Sequence, residues 1–475
     1  MFTRGCCRGL QRALPVRLQQ LPPTAAQRRG GHETGGVACT GRNALVVVIE
    51  KKREETRSGD VMVAPLVLVV PDGAADYACS SLQFRTPLEK ARRRKALDAL
   101  ATDGLAGLLC PLGEGVACGS DTAHIELLGG DSPGVYTGRG PLEARGCGHL
   151  PPGAVAFKCV LAHVDERSNT VTSRRAGGVC AHDARCLLAS LDKMRLPEGS
   201  SVRVLHDHSH RAVVTISHSE KHLGDDIEGT DPREDGLELL SPSSRGTGTS
   251  SDVNALTARE VDAACSLMRE RLREHHVNAQ REDRGELPAN VLLLRGAGRL
   301  PDESVLGSES TVVTHTKVIG GVGRALGCAD VHMHDVEDMR AMANDAVEAV
   351  TVQGKEFVLL HFKATDDAGH AGDPETKAEL LADVDATVEK LLKELPEEAT
   401  MCVAPDHATP CRLQDHTAEP VPVACAHVGA VCIESDGEEH RRGKTRFTEC
   451  GARHGGLGLL CRGRELITTV RQELR

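Results

Sequence analysis

The stretch "VAPLVLVVPDG", residues 63–73, decides how the chain is read. An unbroken apolar run closes on Asp72-Gly73. A strand loses its polar–apolar alternation when helices cover both faces of a parallel sheet, and that is the pattern here. Open sheets of this kind gather functional groups at the carboxyl ends of their strands, so Asp72 becomes a candidate site residue. The following segment "TPLEKARRRKALDALATDG" (86–104) predicts one helix, with Thr86 as cap, Pro87 at the first position and Gly104 as stop. Strand followed by helix implies a covered parallel sheet.

The same alternation returns late in the chain. "EFVLLHFKATDDAGH" (356–370), "MCVAPDHATP" (401–410) and "GAVCIES" (429–435) each predict a strand, and the first two end in polar residues. "DPETKAELLADVDATVEKLLKEL" fills one gap with a helical pattern. The region from about 140 to 310 differs. It holds shorter β-rich pieces such as "SVRVLHDHSHRAVVTISHSE", a helix from Thr257 to about His276, and a loop at 241–252, "SPSSRGTGTSSD". The fold class expected is therefore α/β: a mostly parallel sheet flanked by helices, interrupted by an inserted α+β substrate domain. The boundaries are 1–62 for an N-terminal extension, 63–139 with 311–475 for the first domain, and 140–310 for the insert.

Composition narrows the function. The formal charge of −11 and an aromatic share of 2%, with no Trp, argue against nucleic-acid partners, which need basic surface and stacking platforms. No apolar run approaches the ~20 residues that cross a bilayer, so no membrane partner is expected. The 18 cysteines include no C-x-x-C pair, and many sit inside apolar runs. They read as small buried hydrophobes of a reducing, cytoplasmic setting. The leader carries arginines at 4, 8, 12, 17, 28 and 29 and no acid before Glu33, so a mitochondrial or plastid transit peptide is the alternative.

The polar residues at strand ends are Asp72, Asp366 with His370, and Asp406 with His407, and His416 follows in "QDHTAEPVPV". With a serine oxygen they make a suitable ligand set for Mn²⁺, Zn²⁺ or Mg²⁺. A Gly-containing loop in "TDDAGH" is expected to return His370 beside Asp366. Adjacent Asp406 and His407 would face opposite ways in a strand, so both belong in the turn beyond it. Ser120 in "GSDTAH" (119–124) is either a helix cap or a nucleophile. In "HDHSH", His206, His208 and His210 would line one face of a strand and could there bind metal; the favoured reading is a strand or hairpin bordering the substrate pocket, with only His210 near the chemistry.

Taken together, "VVPDGAAD", "TPLEKA", "GSDTAHIELLGGDSPGVYTGRGPLEA", "RRAGG", "HRAVV", "GTDPRE", "PANVLLLRGAG", "TDDAGHAGD", "APDHATP", "HTAEPVPV" and "GGLGLLCRGRELI" resemble the archaeal-type cofactor-independent phosphoglycerate mutases of the alkaline phosphatase superfamily. The resemblance runs in order over about residues 63–470. It implies an alkaline-phosphatase-like fold and the interconversion of 3-phosphoglycerate and 2-phosphoglycerate through a phosphoserine, without bisphosphoglycerate. It also implies two divalent cations, Mn²⁺ foremost, with Mg²⁺, Zn²⁺ or Co²⁺ as alternatives. One would be held by Asp366, His370 and His416, the other by Asp72, Ser120, Asp406 and His407. Ser120 is then the nucleophile. Arg139, Arg174, Arg175, His210, Arg211 and Arg295 would bind the substrate, arginine suiting carboxylate and phosphate by its bidentate fork. The competing reading is another metal-dependent phosphatase or phosphomutase of that superfamily.

The chain departs from the family pattern at three places. Ser173 stands where an acid is usual, Gly178 where an arginine is common, and Gly320 where a lysine is expected, with Lys317 one helical turn earlier. The general acid and base stay open, with His163, Asp165 and Lys317 as candidates. The oligomeric state is not legible.

Overall fold

The computed structural model describes residues 64–92, 94–245, 251–300, 304–433 and 445–475. The arginine-rich leader, and the targeting role expected of it, lie outside these residues. The chain opens with β1 (Leu66–Pro71), α1 (Pro87–Lys90), α2 (Lys95–Asp103), β2 (Leu105–Leu109), α3 (Ser120–Leu127), α4 (Ser132–Val135) and α5 (Arg139–Gly146). Then come β3 (Val155–Asp165), β4 (Thr170–Ser173), α6 (Ala181–Leu191), β5 (Met194–Arg195), β6 (Ser201–His206) and β7 (Arg211–Ser217). They lead to β8 (Ile227–Glu228), β9 (Ser243–Ser244), α7 (Ser251–Arg273), α8 (His276–Asp283) and β10 (Val291–Gly298). Next are β11 (Ser310–Thr314), α9 (Lys317–Ala325), β12 (Asp330–Met333), α10 (Met339–Thr351), β13 (Phe357–Phe362) and α11 (Ala364–Ala371). The chain closes with α12 (Pro374–Glu394), β14 (Thr400–Val403), β15 (Val421–His427), β16 (Gly458–Leu460) and α13 (Leu466–Glu473).

The expected fold class is the one observed. Eight strands form one sheet in the order β12-β11-β13-β1-β14-β15-β2-β16, with β15 the strand that runs antiparallel to both its neighbours. All six residues of β1 are buried. Their side chains alternate between two cores: Val67 and Val69 pack with α2, α10 and α12 residues such as Leu97, Met342 and Leu381, while Leu66, Leu68 and Val70 face Ile125, Leu142 and Val322. That two-sided cover removes the alternation from the sequence. At ~1.5–3 kcal/mol for each fully buried Val or Leu, this strand is the hydrophobic axis of the sheet.

A second sheet, β10-β3-β7-β6-β5 with β4 beside β3, draws all its strands from residues 155–298 and is antiparallel. Phe157, Cys159 and Leu161 of β3 bury one face of it under α6, α7 and α8. Helix α5 packs against β3 of the second sheet and against α9, which itself packs on β11 and β12 of the first.

Several local expectations need correction. The helix over 86–104 is two helices, α1 ending at Lys90 and α2 starting at Lys95: Arg94 leaves the helical path to donate to the Leu88 carbonyl at 2.7 Å and to reach Asp98. Five cations between positions 90 and 95 would crowd one another on a continuous helix. The strand expected at 429–435 lies earlier, as β15; residues 428–430 form a 3₁₀ turn, and 434–435 fall outside the described residues. The helix expected from Thr257 to His276 begins at Ser251 and ends at Arg273, which shortens the 241–252 loop. Of the strand or hairpin expected for "HDHSH", the structure forms the hairpin: β6 ends at His206 and Ser209 has φ +50°, so the three histidines do not share a strand face.

Candidate functional site

Strands β13, β1 and β14 are adjacent and parallel, so their carboxyl ends open on one edge of the sheet. Asp72 follows β1 directly. Lys363 and Asp366 follow β13, and Asp406 and His407 follow β14 in the loop beyond it. All of them except Lys363 are buried. The "TDDAGH" segment is a helix, α11, and not the loop expected. Helical i,i+4 spacing places His370 Nε2 3.3 Å from Asp366 Oδ2. Ser120 is the first residue of α3 and makes no capping bond, because Gly119 is the N-cap. His416 arrives from the loop before β15, its Nδ1 2.9 Å from the Cys118 carbonyl.

These seven side chains meet. Ser120 Oγ lies 3.2 Å from His407 Nε2 and 3.4 Å from Asp72 Oδ1. His407 Nε2 is 3.4 Å from Asp72 Oδ1 and 3.2 Å from Asp406 Oδ2. On the other side of Asp366, His416 Nε2 is 3.5 Å from Oδ1, and the two imidazole nitrogens of His370 and His416 are 3.1 Å apart. Within this cluster Asp366, His370 and His416 bring ligand atoms within 4.8 Å of one another, as do Asp72, Asp366 and His407. The donor set fits divalent cations: Asp406 Oδ2 is buried without a hydrogen bond, between imidazole nitrogens of His407 and, at 3.4 Å, His124.

Three neighbours escaped the sequence reading. Lys363 Nζ sits 3.1 Å from Asp72 Oδ2, bonds Asp366, and is 3.5 Å from Ser120 Oγ. His361, the one polar residue of β13, reaches Asp72 Oδ2 at 3.0 Å. His124 lies one turn beyond Ser120 and bonds its carbonyl at 2.7 Å. A polar residue inside an apolar strand, and a lysine within the quoted "FKATDD", were the available signals.

The electrostatics follow from burial and charge. Burial alone would raise Asp72, yet Lys363, His361 and His407 hold it well below the carboxylate range. Asp366 is held down against burial by His370, His416 and Lys363. For Asp406, burial and the Asp72 charge outweigh His124, Lys363 and the Gly73 amide and push it up to about 7. Burial lowers His407 to about 4, whereas the bond to Asp366 lifts His370 to about 9. Negative charge thus accumulates along the line from Asp72 to Asp366.

The expected substrate residues gather elsewhere. Arg174 makes a bidentate pair with Asp231 at 2.9 and 2.7 Å, and Arg295 Nε is 3.6 Å from the same carboxylate. Arg139 opens α5 and bonds Glu143 at 2.8 Å, and Lys158 reaches that same Glu143 oxygen at 3.0 Å. Burial lowers His210 to about 4, and the charges of Arg211 and Arg175 act in the same direction. Asp121, next to Ser120, is among the charges that support Arg139. No hydrogen bond or ion pair among the described residues joins Arg174, Arg175, His210, Arg211 or Arg295 to the cluster around Ser120. Sequence reading did not identify Asp231, Glu143 or Lys158 as partners.

The departures have local reasons. Ser173 Oγ accepts from the Gly177 amide at 3.0 Å, closing the loop that carries the paired arginines. Gly178 has φ +92°, a conformation an arginine adopts only with strain. A Cβ at Gly320 would sit 2.5 Å from Met333 Sδ and 3.1 Å from Val331, so a lysine there would strike β12. Lys317 donates to the Asp207 carbonyl at 2.8 Å, His163 bonds the Pro288 carbonyl, and Asp165 caps its own turn. All three are committed away from Ser120.

A family model described as 2,3-bisphosphoglycerate-independent phosphoglycerate mutase matches residues 101–278. A curated protein of that name from Methanopyrus kandleri is 36% identical over 421 residues, covering 85% of this chain and 97% of its own length. The chain belongs to this family of enzymes. A relative of the same kind from Archaeoglobus fulgidus is 34% identical over 420 residues, covering 85% of this chain and 96% of its own. Among solved structures, the cofactor-independent phosphoglycerate mutase of Thermoplasma acidophilum aligns at TM-score 0.61 and 29% identity over 86% of this chain and 99% of that one. A protein of Pyrococcus horikoshii aligns at TM-score 0.71 and 27% identity, covering 87% and 98%. The fold that aligns with them is carried, in this chain, by a mostly parallel sheet. No helix among the described residues is long and apolar enough to cross a membrane.

Proposed function

We propose that this chain interconverts 3-phosphoglycerate and 2-phosphoglycerate through a phosphoserine at Ser120, on a site for two divalent cations. The observation that carries the reading is the placement of Ser120 Oγ within 3.2–3.4 Å of His407 and Asp72, beside the Asp366–His370–His416 group. Asp366, His370 and His416 would hold one cation; Asp72, Ser120, Asp406 and His407 would hold the other. Mn²⁺ suits this mixture of imidazole and carboxylate. Bound there, the cations supply a lowered Ser120 hydroxyl pKa and neutralise charge on the phosphoryl oxygens.

The chain's own groups do the rest. Ser120 Oγ forms a bond to phosphorus as the bond to the C3 oxygen breaks; the serine proton leaves and the departing oxygen gains one. The retained glycerate presents its C2 hydroxyl, which takes the phosphoryl group back and frees the serine. Backbone N–H groups at the start of α3 favour the phosphoryl charge, since Ser120 is the first residue of that helix. Residues 63–139 with 311–475 form the cation-holding part and 140–310 the insert, whose Arg174, Arg175, His210, Arg211 and Arg295, with Arg139 at the junction, hold the phosphate and carboxylate. Retaining glycerate requires such a clamp, and a simple phosphatase has no use for one.

The test supplies Mn²⁺ and 3-phosphoglycerate without bisphosphoglycerate and follows 2-phosphoglycerate through coupled enolase. Activity is expected, EDTA abolishes it, and Ser120→Ala lowers it by more than ~10³-fold. Release of free phosphate without 2-phosphoglycerate would make the enzyme a phosphatase and overturn the reading.

A further inference from the structure

The run "EKARRRKALD" (89–98) is the most basic stretch of a chain whose net charge is −11, and the proposed reaction leaves it without a role. A continuous helix would scatter its cations around the axis. The break between α1 and α2 instead turns them onto one open cavity of about 470 Å³. Arg85, Lys90, Arg92, Lys95 and Arg446 line it, and the side chain of none of the five makes an ion pair or hydrogen bond with another described residue.

The acids lining the cavity do not neutralise them. Glu89 is tied to the Thr86 amide at 3.1 Å in a capping box. Asp98 accepts from the Phe447 amide at 3.1 Å and pairs with Arg94, itself held by the Leu88 carbonyl. With Arg94 counted, six cations face two engaged carboxylates, a net of four positive charges. A cleft lined by one sign of charge focuses the field and raises the local concentration of counter-ions.

We propose that this cavity binds a small, multiply phosphorylated anion. Its volume lies within the ~300–1,000 Å³ of small-molecule sites. Ala91 is its one apolar lining residue, so it offers no platform for a nucleobase and no pocket for the anchors of a peptide. The wall is built and not merely surface. Thr86, in the turn that opens α1, donates to Glu449 at 2.8 Å, and Glu449 accepts the Asp76 amide at 3.1 Å. Asp76 forms a fully buried pair with Lys377 at 2.9 Å, four residues after Asp72. The turn that opens α1 is thereby tied to the loop that carries Asp72.

Isothermal titration of the full chain, freed of metal with EDTA so that chelation does not interfere, tests the site. Inorganic tripolyphosphate and fructose 1,6-bisphosphate are the probes, and their relative affinities separate an inorganic chain from a phosphorylated metabolite. One equivalent should bind, weakening as salt rises. The double substitution Arg92→Ser, Lys95→Glu should weaken it by about tenfold or more, with the mutase rate unchanged when no anion is added. Should that variant melt early, Arg85→Gln with Arg446→Gln reads the same loss. Equal affinity in wild type and variants overturns the proposal. So does displacement by saturating 3-phosphoglycerate, which would put the anion on the Arg174–Arg295 cluster. Binding of heparin alone, without either small probe, overturns it as well.

Discussion

The two polar regions of the molecule are built on opposite plans. Around Ser120, the acids and imidazoles stand at the ends of buried parallel strands; Asp72, Asp366, Asp406 and His407 are almost wholly shielded. They are fixed by neighbouring buried groups: the Gly73 amide donates to Asp406 at 3.0 Å, and the Thr409 hydroxyl bonds both Asp366 and His407. Around Arg174 and Arg295, the charged heads stay partly in solvent and are aimed by one carboxylate, Asp231, from another part of the chain, as Glu143 aims Arg139 within α5. One region is preorganised by fold and the other by ion pairing. The same small perturbation should therefore act on them unequally.

Glycine to alanine is the largest such contrast. Gly73 has φ +62°, and a Cβ there would fall 2.6 Å from Asp366 Oδ1 and against Thr409. Gly73→Ala must displace Asp72 or Asp366, and a shift of about 1 Å in a reacting geometry lowers the rate by roughly 10²-fold. Gly178 also has a positive φ, +92°, but open space around it. Gly178→Ala should cost only ~1–2 kcal/mol of backbone strain, visible as a lower melting temperature with kcat kept. Equal loss of kcat in both variants would erase the distinction drawn between the regions.

That distinction also explains what the sequence could and could not reveal. A parallel sheet converts linear order into position: Asp72, Asp366 and Asp406 are far apart in the chain, yet each is recognisable as the acid that ends an apolar run. The arginines have no such rule. Arg174 is legible only as part of "SRRAGG", and its partner Asp231 lies 57 residues away on a loop that no periodicity singles out. A lysine after a strand reads as solvated, which hides Lys363, and the glycine of "TDDAGH" suggests a turn where the structure has a helix. The break between α1 and α2 was hidden for a third reason. Propensity favours a helix throughout 86–103, and only the crowding of like charges, with Arg94 drawn to Leu88, opposes it.

Next in size is Asp231→Asn. The carboxylate orients Arg174 and Arg295 together, and an amide keeps the shape but loses the charge and one acceptor. Charge-assisted bonds of this kind are worth ~1.5–3 kcal/mol, so KM for phosphoglycerate should rise about tenfold or more while kcat changes little. Steady-state kinetics separates the two parameters. A fall in kcat at constant KM would move these arginines from holding the ground state to stabilising the transition state, and the clamp would have to be redrawn.

The smallest expected effect is a pH signature of the ion-paired region. Lys158 sits nearly buried under Glu143, and burial lowers its pKa from 10.5 to about 8, with Glu143 pulling upward and Arg139 and Arg211 downward. A lysine depressed in the folded state is protonated more readily when unfolded. Between pH 8 and 10.5 the unfolded chain therefore binds more protons, and stability attributable to this residue rises with pH across that window. The full difference is at most about 3 kcal/mol, and pairing with Glu143 places the realised value below that. Lys158→Met, which keeps the length and removes the charge, should flatten the rise in thermal-melt differences from pH 8 to 10.5. No difference in slope between wild type and variant would mean that water reaches Lys158, and that this region relies on solvent as much as on its carboxylates.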